Sequence, residues 1–181
     1  MIVVREKNEN EKNEYSPINS VNLILSEPNS ENLMKSLESI RGEELYYVKN
    51  GSPNFHIVYR SKVQEQGFNF PYQIGTHGNS PQQADEFSVE VFPGDLVILG
   101  TDGMFDNLHT PSILKVIESL YTEKKLNPQS ISKELAEEAY KLSLEENYLS
   151  PFMFSALLNA GMFYKGGKSD DITVSVGIVQ K

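Results

Sequence analysis

Two short acidic segments carry the chemistry that this sequence can offer. The first reads Leu96-Val97-Ile98-Leu99-Gly100-Thr101-Asp102-Gly103-Met104-Phe105-Asp106-Asn107, an apolar strand closed by Asp-Gly. The second reads Gly166-Gly167-Lys168-Ser169-Asp170-Asp171-Ile172-Thr173-Val174-Ser175-Val176, a carboxylate pair opening a strand. If the two strands lie antiparallel and adjacent, Asp102 and Asp170 meet at the same end of the sheet. Carboxylate oxygens on such a rim, with room for water, suit hard divalent cations such as Mg²⁺ or Mn²⁺. Gly103 allows a tight backbone turn and leaves space beside an ion. Metal ions held there would lower the pKa of a water and fix phosphate oxygens for in-line attack on phosphorus, with no protein nucleophile required.

A plainer reading stands beside this one. Asp-Gly and Asp-Asp form Asx turns without any metal. Asp106 and Asn107 read as organisers of the turn into the next helix, Asp171 as support for Asp170 or a strand cap, and Lys168 as a solvated side chain. An aspartate-nucleophile phosphatase does not fit. It needs two aspartates separated by one residue, and the positions flanking Asp102 at that distance are Gly100 and Met104. The glycines at 161, 166 and 167 precede a strand rather than a helix, so they make no nucleotide phosphate loop.

The elements that must position these residues follow from periodicity. Residues 5–19 are rich in Lys, Glu and Asn and read as a polar loop. A short strand is expected at Val21–Leu25, then a helix capped by Ser30 with Leu33, Leu37 and Ile40 on one face. Leu45–Val48 and Phe55–Tyr59 flank Asn50-Gly51, a hairpin signal. Gln64 to Asp85 reads as loop, and Glu86–Phe92 as an alternating strand. Leu96–Thr101 is apolar on both faces, which predicts a central strand covered on both sides. Three helices follow. Thr110-Pro111 opens the first, with Ile113, Val116, Ile117 and Leu120 as its buried stripe. Asn127-Pro128 opens the second, with Ile131, Leu135, Ala139 and Leu142 facing inward. Ser150-Pro151 opens the third, which ends near Gly161. Ile172–Ile178 alternates as the last strand. Strands, then helices, then a returning strand make an α+β fold rather than the βαβ alternation of a dinucleotide fold.

Composition narrows the function classes. A chain of 181 residues is one domain or most of one, and 39% hydrophobic content supports a core. A net charge of -9 disfavours binding to nucleic acid or to anionic membrane, both of which need a positive field. There is no cysteine, hence no disulfide and no thiol chemistry, which fits a reducing compartment. His56, His77 and His109 lack a metal-type spacing. The most apolar stretch, Pro151 to Phe163, is too short to span a bilayer. Met1-Ile2-Val3-Val4 passes at once into Arg5-Glu6-Lys7, which does not read as a signal peptide. A start on an apolar β-branched run suggests that the chain begins inside a strand, and that Met1 is not the true start of the fold.

Taken together, the two acidic segments resemble the type-2C, metal-dependent Ser/Thr protein phosphatases. Thr101-Asp102-Gly103-Met104-Phe105-Asp106 is similar to the family's Thr-Asp-Gly-[Leu/Met/Val]-[Phe/Trp]-Asp motif. Gly167-Lys168-Ser169-Asp170-Asp171-Ile172-Thr173-Val174 is similar to its closing Gly-x-x-Asp-[Asp/Asn]-[Ile/Met]-Thr-Val motif. Phe92-Pro93-Gly94-Asp95-Leu96-Val97-Ile98-Leu99 resembles the strand that leads into the first. Phe70-Pro71-Tyr72-Gln73-Ile74 and Asn147–Phe152 resemble the branch that includes the mitochondrial matrix members. The resemblance runs from about Phe55 to the end.

The resemblance implies part of a β-sandwich of antiparallel sheets flanked by α-helices. It implies Asp102 and Asp170 as ligands of Mg²⁺ or Mn²⁺, with Gly103 and Asp171 supporting the metal site. It also implies hydrolysis of phosphoserine or phosphothreonine on a phosphoprotein substrate by a metal-bound water. The family's Asp-Gly-x-Gly-Gly motif is absent from these residues. Residues 1–181 therefore read as the C-terminal portion of a single phosphatase domain, with an insertion reaching about residue 50. The isolated chain is expected to be catalytically weak, completed by a missing N-terminal half or a complementing chain. An intracellular location, cytoplasmic or mitochondrial, goes with this reading. The alternative is a non-catalytic interaction or regulatory module derived from the phosphatase fold.

Overall fold

A computed structural model describes residues 1–6, 18–25, 55–74 and 78–181. The described elements, in chain order, begin with β1 (Ile2–Glu6), β2 (Ile18–Leu25), β3 (Phe55–Arg60), β4 (Glu65–Gly67), β5 (Phe70–Pro71), β6 (Asp85–Val91) and β7 (Leu96–Gly100). They continue with α1 (Asp102–Phe105), α2 (Thr110–Thr122), α3 (Pro128–Ser143), α4 (Pro151–Ala160) and β8 (Val174–Ile178).

β7 lies inside a four-stranded antiparallel sheet of order β3-β1-β7-β8. Its side chains alternate between two cores, as a strand with period two must. Leu96 and Ile98 join Ile2, Val4 and the helical residues Ile113, Ile117, Ile131 and Leu135. Val97 and Leu99 pack on the other face with Met1, Val3, Val89 and Val91. Val89 and Val91 belong to β6, which pairs with β2 in a second antiparallel sheet. The molecule is thus layered as helices, sheet and sheet. That is the α+β architecture with antiparallel sheets read from the sequence, and β7 is covered on both faces as its composition requires.

α3 and α4 start where side chains satisfy their first N–H groups. Asn127 Oδ1 accepts from the Ser130 amide at 2.9 Å, and Ser150 Oγ accepts from the Met153 amide at 3.2 Å. Each of α2, α3 and α4 carries proline in its first turn, where a missing N–H costs nothing. α4 ends at Gly161, whose φ of 61° is left-handed. α2 differs in one detail: His109 is its N-cap and Thr110 its first residue. Ile113, Ile117 and Leu120 on α2 are buried, as are Ile131, Leu135 and Ala139 on α3, on the stripes their spacing predicts.

Several boundaries differ from the sequence reading. The stretch 64–85 contains a small antiparallel hairpin, β4–β5, and a 3-10 turn at Pro81–Gln83 closed by a Ser80 capping box. Strands of two and three residues leave no periodic signal. The last strand begins at Val174 rather than Ile172. β7 gives way at Thr101 to the single turn α1, so Asp102 opens a helical turn. The chain does begin in a strand, and β1 pairs with β3 up to Glu6↔Phe55 across residues 7–54. Arg5 and Glu6 lie in β1, and the expected strand at Val21–Leu25 is the longer β2. The helix read at residues 30–40, the first arm of the Asn50-Gly51 hairpin, most of the polar stretch and His77 lie outside the described residues. Among the described residues no helix is long and apolar enough to cross a membrane.

Candidate metal centre

The antiparallel register of β7 and β8 ends at Gly100↔Val174. Beyond it, Thr101 keeps the two chains together. Its amide donates to Thr173 O at 3.0 Å, its Oγ1 donates to Asp171 O at 2.9 Å, and the same Oγ1 accepts from the Thr173 amide at 3.0 Å. The strands leave the sheet side by side, and Asp102 and Asp170 come to one rim, as adjacency of the two strands predicted.

Each carboxylate closes its own turn with one oxygen. Asp102 Oδ1 accepts from the Gly103 amide and Asp170 Oδ1 from the Asp171 amide, both at 2.9 Å. These local bonds go to the next residue's amide, one residue short of the amide that an Asx turn uses. The second oxygens do something else. Asp102 Oδ2 and Asp170 Oδ2 reach one cation, the Lys168 ammonium, at 3.4 and 3.1 Å. Two residues far apart in sequence therefore aim a hard oxygen each at a shared positive charge.

Lys168 is not the solvated side chain that the sequence suggested. Its Nζ also lies 2.7 Å from Asp106 Oδ2, 3.4 Å from Asn69 Oδ1 and 4.8 Å from the centre of the Phe152 ring. Its side chain is 14% exposed, against 57% for Asp102. Three carboxylates brought to one place repel one another, and the ammonium relieves that repulsion. Asn69 reaches it from the tip of the β4–β5 hairpin, where φ is 55°, a conformation that asparagine tolerates better than most residues. Phe68 beside it packs on Phe152, with ring centroids 5.4 Å apart.

Burial pushes the Asp106 carboxyl up to about 6, against the opposing hydrogen bond and charge of Lys168. For Asp170, burial also favours the neutral acid. The Lys168 hydrogen bond, the Asp171 amide and the Lys168 charge outweigh it and hold the carboxyl below its ordinary range. For Lys168, burial disfavours the ammonium, but contacts with Asp106, Asp170 and Asp102 raise its pKa above the usual lysine value. All three shifts describe a charged, mutually dependent cluster.

Two buried groups fix the cluster from behind. A Cβ on Gly103 would stand 2.5 Å from Asp171 O and 3.2 Å from Ile172 Cγ1, so only glycine permits this approach of α1 to the strand entry. Asp171 supports Asp170 through its backbone, while its own side chain is exposed. Asn107, fully buried, donates from Nδ2 to Gly103 O and Lys168 O, both at 2.8 Å, and accepts at Oδ1 from the Lys168 amide at 2.9 Å. Asn107 does organise the turn, but its partner is the distant Gly-Lys segment. Sequence inspection missed Lys168, Asn107 and Asn69 as parts of one cluster. The single available signal was that Asn107 and Lys168 fall inside the two motifs.

A divalent cation would find suitable chemistry here: oxygen donors, and two carboxylate oxygens already converging on a cation. Among the described residues no group of three His, Cys, Asp or Glu side chains is arranged to hold an ion. Asp102 and Asp170 would be the first ligands, and others would have to come from water or elsewhere.

No family model matches the chain. It is 40% identical over 149 residues to "Probable protein phosphatase 2C 55" of Arabidopsis thaliana, covering 78% of this chain and 32% of that protein. It is 37% identical over 147 residues to "Protein phosphatase PTC7 homolog" of Danio rerio, covering 76% and 48%. The X-ray structure of "the photosystem II phosphatase PBCP" superposes with a TM-score of 0.61 at 28% identity, covering 69% of this chain and 52% of that one. The chain spans about a quarter to a half of the length of the curated relatives that it matches. On these similarities the chain belongs to the protein phosphatase 2C family.

Proposed function

We propose that this chain is the C-terminal portion of a metal-dependent protein serine/threonine phosphatase domain, with Asp102 and Asp170 as ligands of Mg²⁺ or Mn²⁺ and a phosphoprotein as substrate. One observation carries the reading. Asp102 Oδ2 and Asp170 Oδ2 point at a shared cation, at 3.4 and 3.1 Å, on a rim created by the pairing of β7 with β8. When bound, the ion supplies a water of lowered pKa and neutralises phosphate charge. The chain's own residues do the positioning. Asp102 and Asp170 each keep one oxygen in a local turn, which fixes the direction of the other. Thr101 locks the two segments together, Gly103 lets them approach, and Asn107 holds the Lys168 backbone.

Two carboxylates hold a hard ion weakly, so the isolated chain is expected to bind metal in the millimolar range and to turn over slowly. A further segment or a complementing chain would supply the remaining ligands. The lack of a three-residue metal group among the described residues favours a second reading, a non-catalytic regulatory module on the same fold. Thermal unfolding with and without millimolar Mn²⁺ separates the two. A rise in melting temperature that disappears in Asp102→Asn and in Asp170→Asn supports the metal centre. No rise in the unmodified, folded chain favours the regulatory module.

A further inference from the structure

Lys168 presents three N–H donors to four oxygens, on Asp102, Asp106, Asp170 and Asn69, with Phe152 behind. The Asp106 contact, at 2.7 Å, is the shortest; Asp170 lies at 3.1 Å, and Asp102 and Asn69 at 3.4 Å. The ammonium is therefore held most closely by Asp106 and shared at longer range with the two carboxylates of the proposed centre. Three carboxylates and one ammonium leave a local charge of about two negatives, which one divalent cation neutralises.

We infer that Lys168 is a resident cation of this rim, which holds Asp102 and Asp170 together in the metal-free protein and competes with the divalent ion for them. It rests on the metal-centre reading above. Lys168 is a positioning residue in this role. It sets how much metal the rim requires, because an incoming ion must displace the ammonium from the Oδ2 atoms while it remains on Asp106.

The order of metal affinities tests this. Mn²⁺ binding to the full chain is followed by water-proton relaxation for the unmodified protein, Lys168→Met and Lys168→Arg. Removal of a positive charge beside the ion is expected to tighten binding by about tenfold or more in Lys168→Met. Lys168→Arg keeps the charge and should bind like the unmodified chain. A lysine that held the two carboxylates in place without competing for them would behave oppositely, since its loss would loosen them and weaken binding. Equal or weaker binding by folded Lys168→Met overturns the inference and leaves the metal centre intact. Absence of Mn²⁺ binding in all three proteins overturns both. Should Lys168→Met not fold, ¹⁵N resonances of lysine Nζ in the unmodified chain decide. The Lys168 signal, identified by its absence in Lys168→Arg, must shift in step with Mg²⁺ saturation. A stationary signal rejects displacement.

Discussion

Asn107 holds Lys168 by both of its backbone groups. The Lys168 amide donates to Asn107 Oδ1 at 2.9 Å, and Asn107 Nδ2 donates to Lys168 O at 2.8 Å. The amide side chain thereby acts as a one-residue strand partner for a segment 61 positions away. The same Nδ2 reaches Gly103 O at 2.8 Å, which ties the turn after Asp102 to the loop before Asp170. In Asn107→Ala the Gly103 and Lys168 carbonyls and the Lys168 amide lose this partner in a buried place. A loss of about 2–4 kcal/mol is expected, read from the urea midpoint. A change below about 0.5 kcal/mol would mean that water replaces the side chain, as at an ordinary surface position.

Gly103 and Gly177 should respond oppositely to the same substitution. A methyl at Gly103 meets Asp171 O at 2.5 Å, whereas one at Gly177 meets nothing within 4 Å. Gly103→Ala should cost about 1–3 kcal/mol and reduce the Mn²⁺-dependent thermal shift. Gly177→Ala, in the interior of β8, should be neutral or stabilise by about 0.5 kcal/mol. Differential scanning calorimetry of the pair checks both.

Thr101 tests the lock between the two acidic segments. Thr101→Val keeps the shape but leaves Asp171 O and the Thr173 amide without the hydroxyl that serves both. A cost of about 1–2 kcal/mol is expected, together with weaker Mn²⁺ binding, because Asp170 then loses its fixed neighbour. Thr101→Ser retains the hydroxyl and should restore most of the binding. If Thr101→Val binds Mn²⁺ as well as the unmodified chain, the lock is not needed for the site.

A second ion pair should matter for stability and not for metal. Arg5 donates from Nε and Nη2 to the two oxygens of Asp95, each at 2.8 Å, and its guanidinium lies 4.5 Å from the Phe92 ring centre. Asp95 also accepts from the Phe92 amide at 2.9 Å and is 2% exposed. Asp95→Ala removes these acceptors at once and should cost about 2–4 kcal/mol, somewhat below the ~3–5 kcal/mol for a fully buried pair because the Arg5 side chain is 24% exposed. Mn²⁺ affinity of the folded fraction should stay unchanged, since the pair is built from β1 and the turn before β7 and takes no part in the Lys168 cluster.

Local patterns in the sequence already determined much of this protein. The apolar run Leu96–Gly100 required a strand covered on both faces, and the structure places it between β1 and β8. Asn-Pro and Ser-Pro located the starts of α3 and α4, because caps and first-turn prolines act within a few residues. Placing Asp102 and Asp170 together needed only the pairing of two strands, each visible by its period. What tertiary structure alone decided is how charges share space. Lys168 reads as a surface residue in any local window: Asp170 is its near neighbour in sequence, but Asp102 and Asp106 come from the two ends of the distant turn α1 and Asn69 from the β4–β5 hairpin. The β4–β5 hairpin that carries Asn69 is too short to show a period. Asn107 reads as a turn former until the fold sets Lys168 opposite its amide. Periodicity and capping are properties of neighbours in sequence. Ion pairing and the satisfaction of buried polar groups are properties of neighbours in space.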